Sequence, residues 1–180
     1  MRKDTIYFKG RIRTLKKSKL AVFILAAIVL TALPVFAQED VLVKRMNEVL
    51  SKGIEQGHWQ VNSDEVNMWI KTKATDFIVV DVRPKAEAYQ SGHIPGSIHI
   101  PYNQMLKTEN LAKLPKGKKI ILVCATGQLE NLPVVPLRML GYDAYTMTFG
   151  YASWIKDSGG AEQMQAIIEK ANTKNYPLEK

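Results

Sequence analysis

The chain has 180 residues, 46% hydrophobic, 23% charged and 8% aromatic, a globular balance that excludes a largely disordered chain, collagen and a disulfide-rich miniprotein. Its single cysteine, Cys124, excludes an intramolecular disulfide and a cysteine-cluster metal site. The net charge of +8 is local: residues 1–37 hold eight Lys/Arg and one Asp, while the other 143 hold 17 Lys/Arg against 16 Asp/Glu. The folded part therefore has no bulk electrostatic reason to seek nucleic acid.

Residues 1–37 read as an export signal. A basic stretch to Lys19 precedes an apolar run, Leu20 to Leu30, and then Thr31-Ala-Leu-Pro-Val-Phe-Ala37. Val35-Phe36-Ala37 is an acceptable cleavage tripeptide, with Pro34 ending the apolar helix before it. The alternative is an uncleaved anchor, since the 18 residues from Leu20 to Ala37 lie at the short end of a membrane span. Either way the expected location is outside the cytoplasm: periplasmic or secreted if cut, membrane-anchored if not. Membrane contact is expected only through residues 20–37.

The rest divides into an N-terminal helix, 38–57, and one domain, 58–180. Leu42, Met46, Val49, Leu50 and Ile54 recur at helical spacing, predicting an amphipathic helix from Asp40 to Gln56 that Gly57 ends. Trp59-Gln-Val61 reads as a short strand, and Ser63 as the cap of a helix burying Val66, Trp69 and Ile70. Phe77-Ile-Val-Val-Asp81 and Lys119-Ile-Ile-Leu-Val-Cys124 are apolar runs expected of strands buried on both faces. Ser97-Ile-His-Ile100 is a third, shorter strand closed by Pro101. Strands alternating with helices predict an α/β fold with a mostly parallel sheet. Met164, Ile167, Ile168 and Ala171 predict a further amphipathic helix from about residue 160.

Cys124 ends the most apolar strand, where parallel α/β sheets bind ligands. The loop after it, Ala125-Thr-Gly-Gln-Leu129, can turn successive N–H groups inward, with Gly127 free to take positive φ. Such a nest favours thiolate, the nucleophilic form. The bland alternative is a buried structural cysteine.

Four separated motifs resemble the rhodanese (sulfurtransferase) family. They are Phe77-Ile-Val-Val-Asp-Val-Arg83, then Ala88-Tyr-Gln-Ser-Gly-His-Ile-Pro-Gly-Ser-Ile-His-Ile-Pro101, then Ile121-Leu-Val-Cys-Ala-Thr-Gly127, and Phe149-Gly-Tyr-Ala-Ser-Trp154. The last resembles the closing Gly-Gly-x-x-x-Trp element, with Phe149 in place of the first glycine. The resemblance implies a five-stranded, mostly parallel sheet with helices on both faces, no cofactor, and a Cys124 persulfide. Sulfur would come from thiosulfate or another sulfane anion and pass to a thiol or cyanide. The backbone amides of Ala125, Thr126, Gly127, Gln128 and Leu129 would hold it, with Asp81 and Arg83 in support, as an ion pair or loop hydrogen bond.

Departures from the family pattern are equally specific. Arginine often follows the cysteine directly and again five residues on, where this chain has Ala125 and Leu129; Glu130 replaces the small polar residue usual after the loop. Weak thiosulfate affinity is the expectation, because a dianion loses its charged hydrogen bonds. Glu130 also stands where a cysteine phosphatase needs arginine, which argues against phosphate chemistry. Pro133 suits an opening turn, whereas Pro136 predicts a late-starting or distorted helix after the loop. A noncatalytic module that binds a partner or senses sulfane sulfur is the competing reading. His93 is read as a loop brace, and His58 and His99 have no partner at metal spacing. Trp59, Trp69 and Trp154 are read as core aromatics.

Overall fold

Residues 38–179 are described by the structure, a computed structural model. The proposed export signal lies outside them, and among the described residues no helix is long and apolar enough to cross a membrane. The chain divides into two compact units between Arg45 and Met46. The first is described only as the opening of a helix over residues 38–52, α1. That helix is shorter than the expected 40–56. From Gly53 the backbone turns instead, with Gly53 N–H on the Leu50 carbonyl at 3.0 Å and His58 N–H on the Gly53 carbonyl at 2.6 Å. Val49 packs on the core, but Leu50 and Ile54 remain exposed.

The second unit is the α/β fold expected. Five strands form one sheet: β1 (Gln60–Val61), β2 (Phe77–Asp81), β3 (Ile98–His99), β4 (Lys119–Val123) and β5 (Asp143–Met147). Their order is β1-β5-β4-β2-β3, with every neighbouring pair parallel. Parallel pairing requires crossovers, which the intervening helices supply. These are α2 (Ser63–Lys71), α3 (Ala86–Ser91), α4 (Thr108–Leu111) and α5 (Asn131–Met139), followed by α6 (Tyr151–Trp154) and α7 (Gly159–Ala171). Successive strand side chains face opposite sides, so each central strand feeds two cores. Val80, Val82, Ile120, Leu122 and Cys124 pack with Val134 and Leu137 of α5. Val79, Ile121, Val123 and Met147 pack with Val66 of α2, Ile94 and Tyr151.

Three local expectations change. The cap of α2 is Asn62, not Ser63: its side chain accepts the Glu65 N–H at 2.8 Å while Glu65 accepts the Asn62 N–H at 2.9 Å. Asparagine one residue earlier completes a reciprocal capping box, which serine at 63 has no glutamate to close. Trp59 is not in the strand but in a 3-10 turn, Gly57–Trp59, at φ 57°, which tucks its ring into the core at 6% exposure. The helix after the loop does not start late; α5 begins at Asn131. Pro133 falls in its first turn, where a missing N–H costs nothing, and Pro136 is tolerated mid-helix, its carbonyl still accepting the Leu140 N–H at 3.1 Å.

Candidate active site

β4 delivers Cys124 to the carboxyl end of the sheet's middle strand, and the chain turns back through residues 125–130 into α5. The turn depends on Gly127. Its φ is +83°, and a Cβ there would meet the Phe149 amide nitrogen at 2.9 Å. The carbonyls of Cys124 and Ala125 are taken by α6, accepting the N–H groups of Tyr151 at 2.8 Å and Ala152 at 3.0 Å. Asn131 closes the loop, donating from its side-chain amide to the Gly127 carbonyl at 2.5 Å.

Of the five predicted loop amides, those of Thr126 and Leu129 reach the sulfur, joined by that of Glu130. Leu129 and Glu130 lie at the start of α5, whose N-terminus supplies favourable dipoles.

The charge state differs from the expectation of a thiolate near neutrality. Cys124 is 1% exposed, and burial pushes its thiol above the ordinary value. The neighbouring Glu130 carboxylate pushes it further, against the three amides that lower it.

Glu130 is the site residue whose placement the sequence did not convey. It is 1% exposed and accepts the Cys124 N–H at 2.5 Å. Its carboxyl also meets the Cys124 thiol and the Met147 N–H. Strand pairing between β4 and β5 stops at Leu122 and Thr146, so Glu130 inserts where the two strands part and satisfies the freed amides of both. Burial is the chief reason its pKa is pushed up to about 8, with the negative Asp81 adding to it.

Asp81 and Arg83 form a separate brace. Arg83 Nη2 lies 2.6 Å from Asp81 Oδ2 and its Nε 3.0 Å from both carboxylate oxygens, and the guanidinium sits 4.0 Å over the Tyr151 ring. Tyr151 donates its hydroxyl hydrogen to Asp81 at 3.0 Å and accepts the Ile94 N–H at 3.0 Å. Burial and the Asp81 charge hold the Tyr151 hydroxyl above its ordinary pKa, so it stays a donor. His93 Nδ1 lies 2.9 Å from the Tyr89 carbonyl oxygen, and His99 Nε2 2.8 Å from that of Arg83. Trp69 and Trp154 are half-buried against the sheet's second core.

Beside the loop is a cavity of about 400 Å³ bordered by the loop, β5 and α7. Glu130, Gln128, Phe149, Met164, Ile167 and Ile168 are among its walls. Phe149 takes φ +63°, the left-handed conformation that suits the glycine it replaces, and its ring stands 54% exposed at the cavity.

A rhodanese-like domain model matches residues 62–157. The chain belongs to the rhodanese-like domain family. This rhodanese-like chain is 31% identical over 78 residues to thiosulfate sulfurtransferase GlpE of Pseudomonas savastanoi pv. phaseolicola, covering 43% of this chain and 71% of that protein. It is 35% identical over 79 residues to a tRNA sulfurtransferase of Desulfurococcus amylolyticus, 44% of this chain but only 15% of the relative's length. Among solved structures, the BH2092 protein of Bacillus halodurans superimposes with a TM-score of 0.52 at 28% identity, over 60% of this chain and 79% of that one.

Proposed function

We propose that this rhodanese-like protein is an exported sulfurtransferase that carries sulfur on Cys124. The observation that carries the reading is a cysteine at the end of the middle strand whose sulfur receives the amides of Thr126, Leu129 and Glu130. A persulfide there is a larger, more diffuse anion than a thiolate, and fixed N–H dipoles stabilise it without reorganisation. The Cys124 sulfur attacks the outer sulfur of a sulfane donor, thiosulfate or another; the donor's S–S bond breaks, and sulfite or the corresponding leaving group departs. A thiol or cyanide then removes the outer sulfur. With no arginine in the loop, thiosulfate binding rests on backbone dipoles, so its affinity is low. The relatives named for sulfurtransfer support the reaction class.

The test is incubation of the reduced domain with thiosulfate or polysulfide and intact-mass measurement. One added sulfur on the wild type and none on Cys124→Ser is expected; no adduct with any donor overturns the enzyme. The raised thiol of Cys124 favours a second reading, a module that binds or senses sulfane sulfur without turnover. In that case the adduct forms once and no thiol acceptor discharges it. For the export signal, cell fractionation decides: the mature domain is expected outside the cytoplasm, and a cytoplasmic full-length chain overturns it.

A further inference from the structure

We propose that α1 is a membrane-surface helix, lying in the plane of a bilayer with its apolar stripe against the lipid. This extends membrane contact beyond residues 20–37 and is independent of the chemistry at Cys124. The first observation is an apolar face with no cover. At about 100° of rotation per residue, Leu42, Val43, Met46 and Leu50 project within an arc of about 100°. All four are between 39% and 52% exposed, and beside them only Val49 packs on the core. Asp40, Lys44, Arg45, Glu48 and Lys52 stand outside that arc. Glu39 alone intrudes on it, in the first turn, where the helix dipole favours a carboxylate.

The second observation is position. The helix opens at residue 38, directly after the apolar run from Leu20 to Ala37, so no linker separates the two. Leu42 lies only about 6 Å along the axis from the helix's first residue, at a rise of 1.5 Å per residue. A run of that length and hydrophobicity enters the hydrocarbon core of a bilayer, which puts the stripe at the lipid boundary.

The third is size and charge, which favour lipid over another protein surface. The four side chains expose on the order of 400 Å², about half the roughly 800 Å² that each partner gives a standard interface. A second copy docked through this stripe alone therefore falls short. Nor can α1 cross the membrane itself, since no described helix is long and apolar enough. An amphipathic helix lying flat buries such a stripe at the acyl boundary and leaves its charged side in water. Lys44, Arg45 and Lys52 balance Glu39, Asp40 and Glu48, so the attraction is to the apolar boundary and not to anionic headgroups.

The experiment uses the full-length chain with Cys124→Ser, reconstituted in phosphatidylcholine vesicles, so that one introduced cysteine takes the label. The dye NBD is attached through Met46→Cys or Leu50→Cys on the stripe, and through Lys44→Cys or Ser51→Cys outside it. All four positions are exposed, so labelling disturbs no core. Should Cys124→Ser not fold, the native cysteine is kept, since at 1% exposure it is out of the label's reach. Spin-labelled phosphatidylcholine then reports lipid contact. Quenching at positions 46 and 50 is expected to exceed that at 44 and 51 by at least about threefold, with added anionic lipid or salt changing little. Equal quenching at all four positions overturns the proposal. So does protection of 46 and 50 from a water-soluble quencher without quenching by the lipid, which marks a second copy or another part of the chain as the cover.

Discussion

Gly160 lies so close to Ala125 that a Cβ on it would stand 2.1 Å from the Ala125 carbonyl oxygen. Glycine is what lets the first turn of α7 rest directly on the loop that follows Cys124. Ser158 caps that helix, accepting the Ala161 N–H at 3.1 Å, so its start is fixed as well as close. Gly160→Ala must therefore shift either α7 or the loop. The expected result is a loss of about 1–3 kcal/mol in a denaturant melt, with faster proteolysis between residues 155 and 171. An unchanged melt and cleavage pattern would show that the contact is dispensable.

Tyr151 joins two otherwise separate pieces of chain. Its hydroxyl bonds the buried Asp81 carboxylate and the Ile94 amide, both 0% exposed. Tyr151→Phe keeps the ring beneath Arg83 and removes only those bonds. Asp81 retains the guanidinium, but the Ile94 N–H is stranded in the core, a cost of about 1–3 kcal/mol. Equilibrium unfolding in urea measures it, and a change below about 0.5 kcal/mol would refute the bracing role.

Much of this was legible from the sequence because it rests on local rules. The runs at 77–81 and 119–123 announce buried parallel strands, and the cysteine at the end of the second marks the loop that follows. What escaped involves residues far apart in the chain or choices between adjacent ones. Asn62 and Ser63 are both good caps, and only the reciprocal reach of Glu65 separates them. Glu130 was visible as a departure from the family loop, but its insertion between β4 and β5 depends on where strand pairing ends. The loop amides favour a thiolate, whereas burial and the facing carboxylate, both set by packing between distant segments, outweigh them. The apolar stripe of Met164, Ile167 and Ile168 did predict α7, but gave no sign that it would wall a cavity.

Glu130 also gives the domain's stability a pH dependence of unusual sign for an acidic group. Its folded pKa is about 8 and its reference value 4.5, so between these the unfolded chain releases a proton that the folded chain keeps. Stability is complete below the unfolded value and falls as pH rises through the folded one. The full span corresponds to a loss of up to about 4–5 kcal/mol at 1.36 kcal/mol per unit. The neighbouring thiol, also raised, acts in the same direction but only at higher pH. Thermal melts of the reduced protein at pH 5 and pH 8 are expected to show wild type losing more stability than Glu130→Gln over this interval. The glutamine has no proton to hold, so its curve flattens. If wild type and variant fall in parallel, the carboxyl is ionised in the folded protein at neutral pH, and the balance of burial against hydrogen bonding argued for this site is wrong.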